Sequence, residues 1–261
     1  MDKGKQRRFI GLGISTASVL FIFLLWYLVA ASGLFPPYFI PTPRAVLDSF
    51  IEILTIGYRG GLLLEHLGDS LFRVITGFFL ACLVAVPLGI LMGTNWKIKA
   101  IFDPLIEFYR PLPPLAYYTI LVIWLGIGNA SKITLLFMAA FPPLSINTTA
   151  AVSAVPRERI QTAQSLGASQ GQILRHVILP SCLPGIFTGM RVSIGFAYTT
   201  LVSSEIVAAT SGIGWMVLDA GKFLRGDVMF MGILVMGTTG ILMDRILRTL
   251  EKLIIPWKGK V

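Results

Sequence analysis

Residues 156–180 read PRERIQTAQSLGASQGQILRHVILP, and the way this stretch divides decides how the chain is organised. It is too polar to lie in lipid, yet Ile160, Ala163 and Leu166 recur at helical spacing, and Ile173, Leu174 and Val177 do so again. Two short helices are predicted. Pro156 suits a helix start, Gly167 can take the left-handed conformation that ends the first helix, and Ser169 can cap the second. Periodicity alone leaves two readings open: a bent amphipathic docking element, or a solvated loop whose apolar residues touch lipid headgroups.

On both sides of this segment the sequence is apolar in blocks of membrane-spanning length. The 261 residues are 55% hydrophobic and 13% charged, against roughly 25% charged in an average soluble domain. Six spans are predicted, at about 9–31, 70–92, 101–127, 133–152, 177–209 and 228–247. The third is broken by Arg110-Pro111-Leu112-Pro113-Pro114, since prolines lack a backbone donor and clash with the preceding turn. Such a break is tolerated in a membrane only where protein or a water-filled cavity satisfies the freed groups. Between the first two spans, Val46, Leu47, Phe50, Ile51 and Leu54 give residues 44–56 one apolar face, with Asp48 and Glu52 between them. That helix is too short and too charged to cross and is placed along the outer surface.

An even number of spans puts both termini on one side. Assigning that side to the cytoplasm gathers Lys3, Lys5, Arg7, Arg8, Lys97, Lys99, Arg157, Arg159, Arg175 and the basic residues from Arg245 to Lys260 inside, against Arg44, Arg59, Lys132, Lys222 and Arg225 outside. Residues 1–8 then form a basic cytoplasmic N-terminus and 9–261 a single membrane domain, with its core at about 66–250 and the bent segment at 156–180. Ala30-Ala31-Ser32 offers a small-residue cleavage site, but the apolar stretch before it exceeds the ~7–15 residues of a signal-peptide core, so an uncleaved helix is expected.

The formal charge of +9 is absorbed by this topology, and no aromatic-interleaved basic stripe is present to bind nucleic acid. Cys82 and Cys182 have no cysteine or histidine at metal-ligand spacing, so no metal site is expected, and His66 and His176 read as interfacial side chains. No catalytic constellation of Ser-His-Asp or Cys-His type is found. Nor is there a G-x-x-x-x-G-K-[ST] phosphate loop, so energy for any pumping must come from a partner.

Gln161-Thr162-Ala163, then Gly167-Ala168, then Ile178-Leu179-Pro180 resemble the EAA loop of bacterial ABC import permeases. Gln161 and Thr162 depart from the Glu-Ala that opens that motif, while its glycine turn and its Leu-Pro ending are intact. The resemblance extends over nearly the whole chain to the taurine, sulfonate and nitrate branch of these permeases. It is carried by Pro41-Thr42-Pro43, by residues 107–116 and 123–128, by Ser204-Glu205 with Gly212-Ile213-Gly214, and by Pro-Trp-Lys-Gly at 256–259, and it looks especially like the taurine subgroup.

The resemblance implies the all-α type I ABC importer permease fold, with six transmembrane helices, an external amphipathic helix and a cytoplasmic coupling helix. It also implies a bacterial inner-membrane homodimer, a substrate-binding protein outside, and ATPase subunits inside that bind the ATP and magnesium this chain does not. Gln161, Thr162, Ala163, Leu166, Gly167, Ala168 and Arg175 are the expected coupling residues, with Ala163, Leu166 and Ala168 filling a groove on the ATPase. The carried solute is expected to be taurine or a related sulfonate; nitrate and other small ligands of the branch stay open, as does a secondary carrier, for which the proline break speaks but no inverted repeat does.

Ionisable residues inside apolar stretches cost at least ~2.5 kcal/mol when unpaired in lipid, so Arg73, Glu107, Arg110, Arg191 and Glu205 are the candidates for pathway or gate. The competing expectation is that they pair with one another. Gly185-x-x-x-Gly189 and Gly195 are expected to seat a neighbouring helix closely.

Overall fold

The computed structural model describes residues 3–257, with side chains from Ile10 onward except those of Leu12 and Ala208. Lys258, Gly259 and Lys260 and the side chains of Lys3, Lys5, Arg7 and Arg8 lie outside the described residues. Regular structure in the described residues is helical, apart from one isolated bridge between Tyr58 and Gly61. In chain order the helices are α1 Lys3–Ala31, α2 Pro43–Thr55, α3 Leu63–Thr94, α4 Trp96–Tyr109, α5 Pro114–Leu125 and α6 Asn129–Ser153. There follow α7 Arg157–Ser165, α8 Gln170–Ile173, a π-helical turn Leu174–Ile178, α9 Leu179–Ala208, α10 Ile213–Lys222 and α11 Gly226–Ile254.

Among the described residues five helical stretches are long and apolar enough to cross a membrane: Gly13–Ala31, Leu63–Thr94, Asn129–Ser153, Gln170–Val207 and Gly226–Ile254. The expected third span is not one helix. Residues 110–113 divide it into α4, of 14 residues, and α5, of 12, because Pro111, Pro113 and Pro114 cannot donate within a continuous ladder.

The chain folds as two compact units, Met1–Leu64 with Met216–Val235, and Glu65–Trp215 with Met236–Val261. In the first, α1 is strongly apolar from Gly13 to Ala31, and that span has no buried residue, as a lipid-facing helix requires. Its Trp26 donates to the Pro41 carbonyl at 3.0 Å and stacks on Phe230. The predicted surface helix is α2, capped by Thr42, and it is Val46, Ser49 and Ile53 that it buries. Leu47, Phe50, Ile51 and Leu54, expected on the same apolar face, stay at least partly exposed. Ser49 donates to Asp227 at 2.5 Å, Arg225 bridges Asp227 and Glu52, and Tyr58 and Arg59 both donate to Asp219. Burial, together with that carboxylate, raises the ionisation of the Tyr58 hydroxyl above its ordinary range.

The second unit is built on backbone proximity. A methyl group added at Gly77, Gly89 or Gly93 of α3 would lie 2.8 Å from Leu136 Cβ, 2.6 Å from Thr148 Cβ and 2.5 Å from Val152 Cβ, all on α6. On the other flank of α6, Gly185 and Gly189 of α9 would meet Ala151 at 2.4 Å and Asn147 at 2.7 Å. Helices in lipid associate through such close packing, since lipid is as apolar as leucine. At Gly195 an added methyl would have no neighbour within 4 Å among the described residues, so its close packing against another helix is not seen within this chain.

Candidate functional site

Three places in the second unit carry chemistry: the segment from Pro156 to Pro180, a buried ion pair, and a cavity at the proline break.

Local sequence builds the segment. Glycine 167 has φ +80°, and the amide of Ala168 donates to Ala163 O while that of Gly167 donates to Gln164 O. This pair of bonds closes the helix end in a Schellman motif. Ser169 then accepts from the Gln172 amide, and Gln172 Oε1 accepts from the Ser169 amide at 2.8 Å, completing a capping box for α8. The Leu179 amide bonds to the Leu174 carbonyl, one residue further than an α-helix allows, and this π turn joins α8 to α9.

The faces of this element differ from the sequence expectation. Ala163 and Ala168 are partly buried and pack with Ile160 against the chain's own cluster of Val152, Val155, Ile173 and Ile178. Gln161, Thr162, Leu166, Gly167 and Arg175 are exposed, and Leu166, 84% exposed, is the apolar side chain that points away from the chain. Period alone could not separate the inner from the outer apolar residues, because Leu166 follows Ala163 by three positions.

Arg73 and Glu205, two of the pathway or gate candidates, are buried against each other at 2.7 Å. Glu205 also accepts from Ser70 Oγ and from the Gly214 amide, both at 2.8 Å. Arg73 donates further to Asn129 Oδ1, to the Ser211 carbonyl and to Ser211 Oγ. The amides of Gly212 and Ile213 donate to His66 Nδ1 and Ser70 Oγ. Three consecutive amides at the start of α10 are thus received by side chains of α3 and α9, and Gly212, with φ +119°, leaves room for the carboxylate, which an added methyl would meet at 2.3 Å. His66, expected at an interface, is buried and stacked on Trp215, and Lys132, in the first turn of α6, is buried with its ammonium on the Ile127 carbonyl. The single pairing of Arg191 is also settled: its Nε donates to Asp244 at 2.8 Å, and Asp244 accepts from Arg248 as well. Sequence reasoning did not select Ser70, Asn129, Ser211 or Asp244, which are unremarkable polar residues until their partners are known.

Glu107 and Arg110 stay at the break, 3.7 Å apart and more than half exposed. Arg110 lines a cavity of about 340 Å³ together with residues of 109–117, α6 and α9. Pro142 and Pro143, inside α6, lie in its wall, and their double break in an apolar helix is the signal in the sequence that marks this place.

Comparison with known proteins gives a consistent picture. Residues 85–256 match the model of the family described as binding-protein-dependent transport system inner membrane component. The taurine transport system permease protein of Escherichia coli (strain K12) is 44% identical over 97% of this chain and 92% of its own length. The bicarbonate transport system permease protein of Synechococcus elongatus is 30% identical over 96% of this chain and 92% of its own. Among solved structures, a chain of the inward-facing MetNI methionine ABC transporter superposes with a TM-score of 0.63, covering 80% of this chain and 97% of that one at 17% identity, which speaks for the fold alone.

Proposed function

The chain belongs to the family of binding-protein-dependent transport system inner membrane components, and on that premise we propose that it is the permease subunit of an ATP-driven importer that carries taurine or a closely related small sulfonate. The observation that carries this reading is its identity, along almost its whole length, with a taurine permease. Two copies of the chain form the pathway, a soluble binding protein delivers the solute from outside, and a separate ATPase binds ATP and magnesium.

In this reading α4 and α5 together make the third of six crossings, both termini face the cytoplasm, and the segment 156–180 docks into the ATPase. Its outer surface supplies the contacts: Leu166 as the apolar plug, Gln161 and Thr162 beside it, and Arg175 for acidic groups at the rim. Gly167 makes the turn, and Ala163 and Ala168 anchor the element to its own chain. Closure of the ATPase dimer pulls on this element and, through the π turn, on α9. The buried charges of Arg73 and Glu205 hold the far end of α9 against α3 and do not line the pathway.

The test is ATP-dependent taurine uptake by proteoliposomes holding the permease, its ATPase and its binding protein, with and without Gly167→Asp. The glycine has open space around it but φ +80°, so the aspartate, which tolerates the left-handed region better than most residues, adds some strain along with its charge, and the variant's melting temperature is measured beside its uptake. Uptake lost in the folded variant supports the reading. Uptake that proceeds without ATP refutes it, and ATP hydrolysis without taurine movement refutes the substrate.

A further inference from the structure

The cavity at the proline break carries two opposite chemistries in one wall. At one pole is Arg110: its contact with Glu107, at 3.7 Å, is longer than a hydrogen bond, so the guanidinium keeps its donors for another acceptor. Beside it, Tyr117 accepts from the Tyr109 hydroxyl at 2.5 Å, which leaves its own O–H to donate. Both groups suit an anion.

The other pole follows from covalent structure. Pro142 and Pro143 have no N–H, so the carbonyls four residues earlier, those of Met138 and Ala139, lose the donors that an α-helix supplies. Both residues line the cavity. Asn147 lines it too, and its Nδ2 is committed to the Pro143 carbonyl at 2.7 Å, so what its amide has left is chiefly the acceptor Oδ1. The ring of Phe196 completes this side, and aromatic faces attract cations. The helix is continuous through both prolines, so the two carbonyls lose a donor without a change of course, and backbone oxygens without an amide partner beside a cavity are suited to a small cation. No carboxylate is among the lining residues; Glu107 pairs with Arg110 only at 3.7 Å, which leaves the guanidinium able to take an anion in the cavity.

We propose that this cavity is a binding site within the permease for a small zwitterion, its anionic group held by Arg110 and Tyr117 and its ammonium by the carbonyls of Met138 and Ala139 and by Asn147 Oδ1. The proposal rests on the taurine reading and sharpens it: the permease itself selects an amino sulfonate over a sulfonate that lacks the amine, in addition to whatever selection the binding protein makes. The volume, about 340 Å³, stands at the low end of the roughly 300–1,000 Å³ of small-molecule pockets, as a solute of this size requires.

The test uses the permease with its ATPase in nanodiscs, without the binding protein, so that the latter's selectivity does not mask the former's. Radiolabelled taurine is bound and competed with unlabelled taurine or with ethanesulfonate, which has the same anion and no ammonium. Saturable taurine binding is expected, with ethanesulfonate at least about tenfold weaker as a competitor, since an ammonium site left unpaired loses a charged hydrogen bond. Arg110→Gln weakens taurine by a similar factor, and Arg110→Lys restores part of it. Asn147→Leu brings the two competitors closer together, which loss of folding would not do. Equal competition by the two sulfonates, unaltered binding in Arg110→Gln, or no saturable binding to the unmodified permease overturns the proposal. Failure of the complete transporter to accumulate taurine with ATP is a separate measurement, and it overturns the functional reading instead.

Discussion

Arg73 Nη1 donates to Glu205 Oε1 at 2.7 Å across 132 positions of sequence, and both side chains are buried. Removing one partner strands a buried charge, which costs about 3–5 kcal/mol, whereas removing both leaves no charge unpaired, the remaining cost being the neutral partners Ser70, Asn129, Ser211 and the Gly214 amide. Glu205→Leu is therefore expected to lower the thermal unfolding midpoint of the detergent-purified permease sharply. Arg73→Met with Glu205→Leu should recover much of that loss. A double variant no more stable than the worse single one would show that the pair does not act as a unit.

The glycine seam gives a second contrast. A methyl group at Gly93 falls 2.5 Å from Val152 Cβ, while one at Gly195 meets nothing. Gly93→Ala should cost about 1–3 kcal/mol through overpacking, and Gly195→Ala should be neutral or slightly stabilising within the helix. Paired thermal-shift measurements on the two variants check this; equal shifts would remove close packing as the reason for Gly93.

Leu166 is the apolar residue that the segment 156–180 presents outward. Leu166→Asp is expected to leave the permease folded, with an unchanged melting temperature, and to weaken co-purification of the ATPase by at least about tenfold, the cost of setting a charge in an apolar groove. Ala163→Asp, by contrast, should lower the stability of the permease alone, because Ala163 packs on its own core.

The π turn at Leu174–Ile178 contains one residue more than a regular helix needs. Deleting the exposed Arg175 is expected to restore an α-helical ladder without shifting the phase of α9. The resulting complex should still hydrolyse ATP but transport several-fold less solute per ATP. An unchanged coupling ratio in proteoliposomes would mean that the turn is not where motion is passed on.

Buried hydroxyls predict a gain. Thr148 Oγ1 has no hydrogen-bond partner and is buried between α6 and α3. Thr148→Val keeps the shape and removes the stranded polar atom, so stability should rise by roughly 1 kcal/mol, read as a higher midpoint of thermal unfolding.

What the sequence disclosed was local or periodic. The helix pair at 156–180 was legible because Pro156, Gly167 and Ser169 act within a few residues of where they stand. Five spans were legible as apolar length, and the division of residues 101–127 into α4 and α5 as a cluster of prolines. The Arg73 site was not, since its partners come from α3, α6, α9 and the loop after it, and nothing in the sequence of Ser70, Asn129 or Ser211 names their neighbours. The expected pairing among intramembrane charges was the right alternative for Arg73, but which charge it would meet depended on packing. The direction of Ala163 and Ala168 was likewise set by tertiary contacts. Gly89-x-x-x-Gly93 of α3 carries the same small-residue spacing as Gly185-x-x-x-Gly189, with Gly77 on the same register twelve residues earlier, and it was as legible as the α9 pair although the sequence reading did not select it.

Glycine on both flanks of α6 has a mechanical meaning. A helix gripped by main chain on two sides cannot spin about its own axis without driving Leu136, Thr148 and Val152 into the backbone of α3. It can only tilt, and it takes its neighbours with it. The three helices form a stiff transmission: a torque applied at one end reaches the other with its direction kept, and the play in the linkage is confined to the joints where the slab ends.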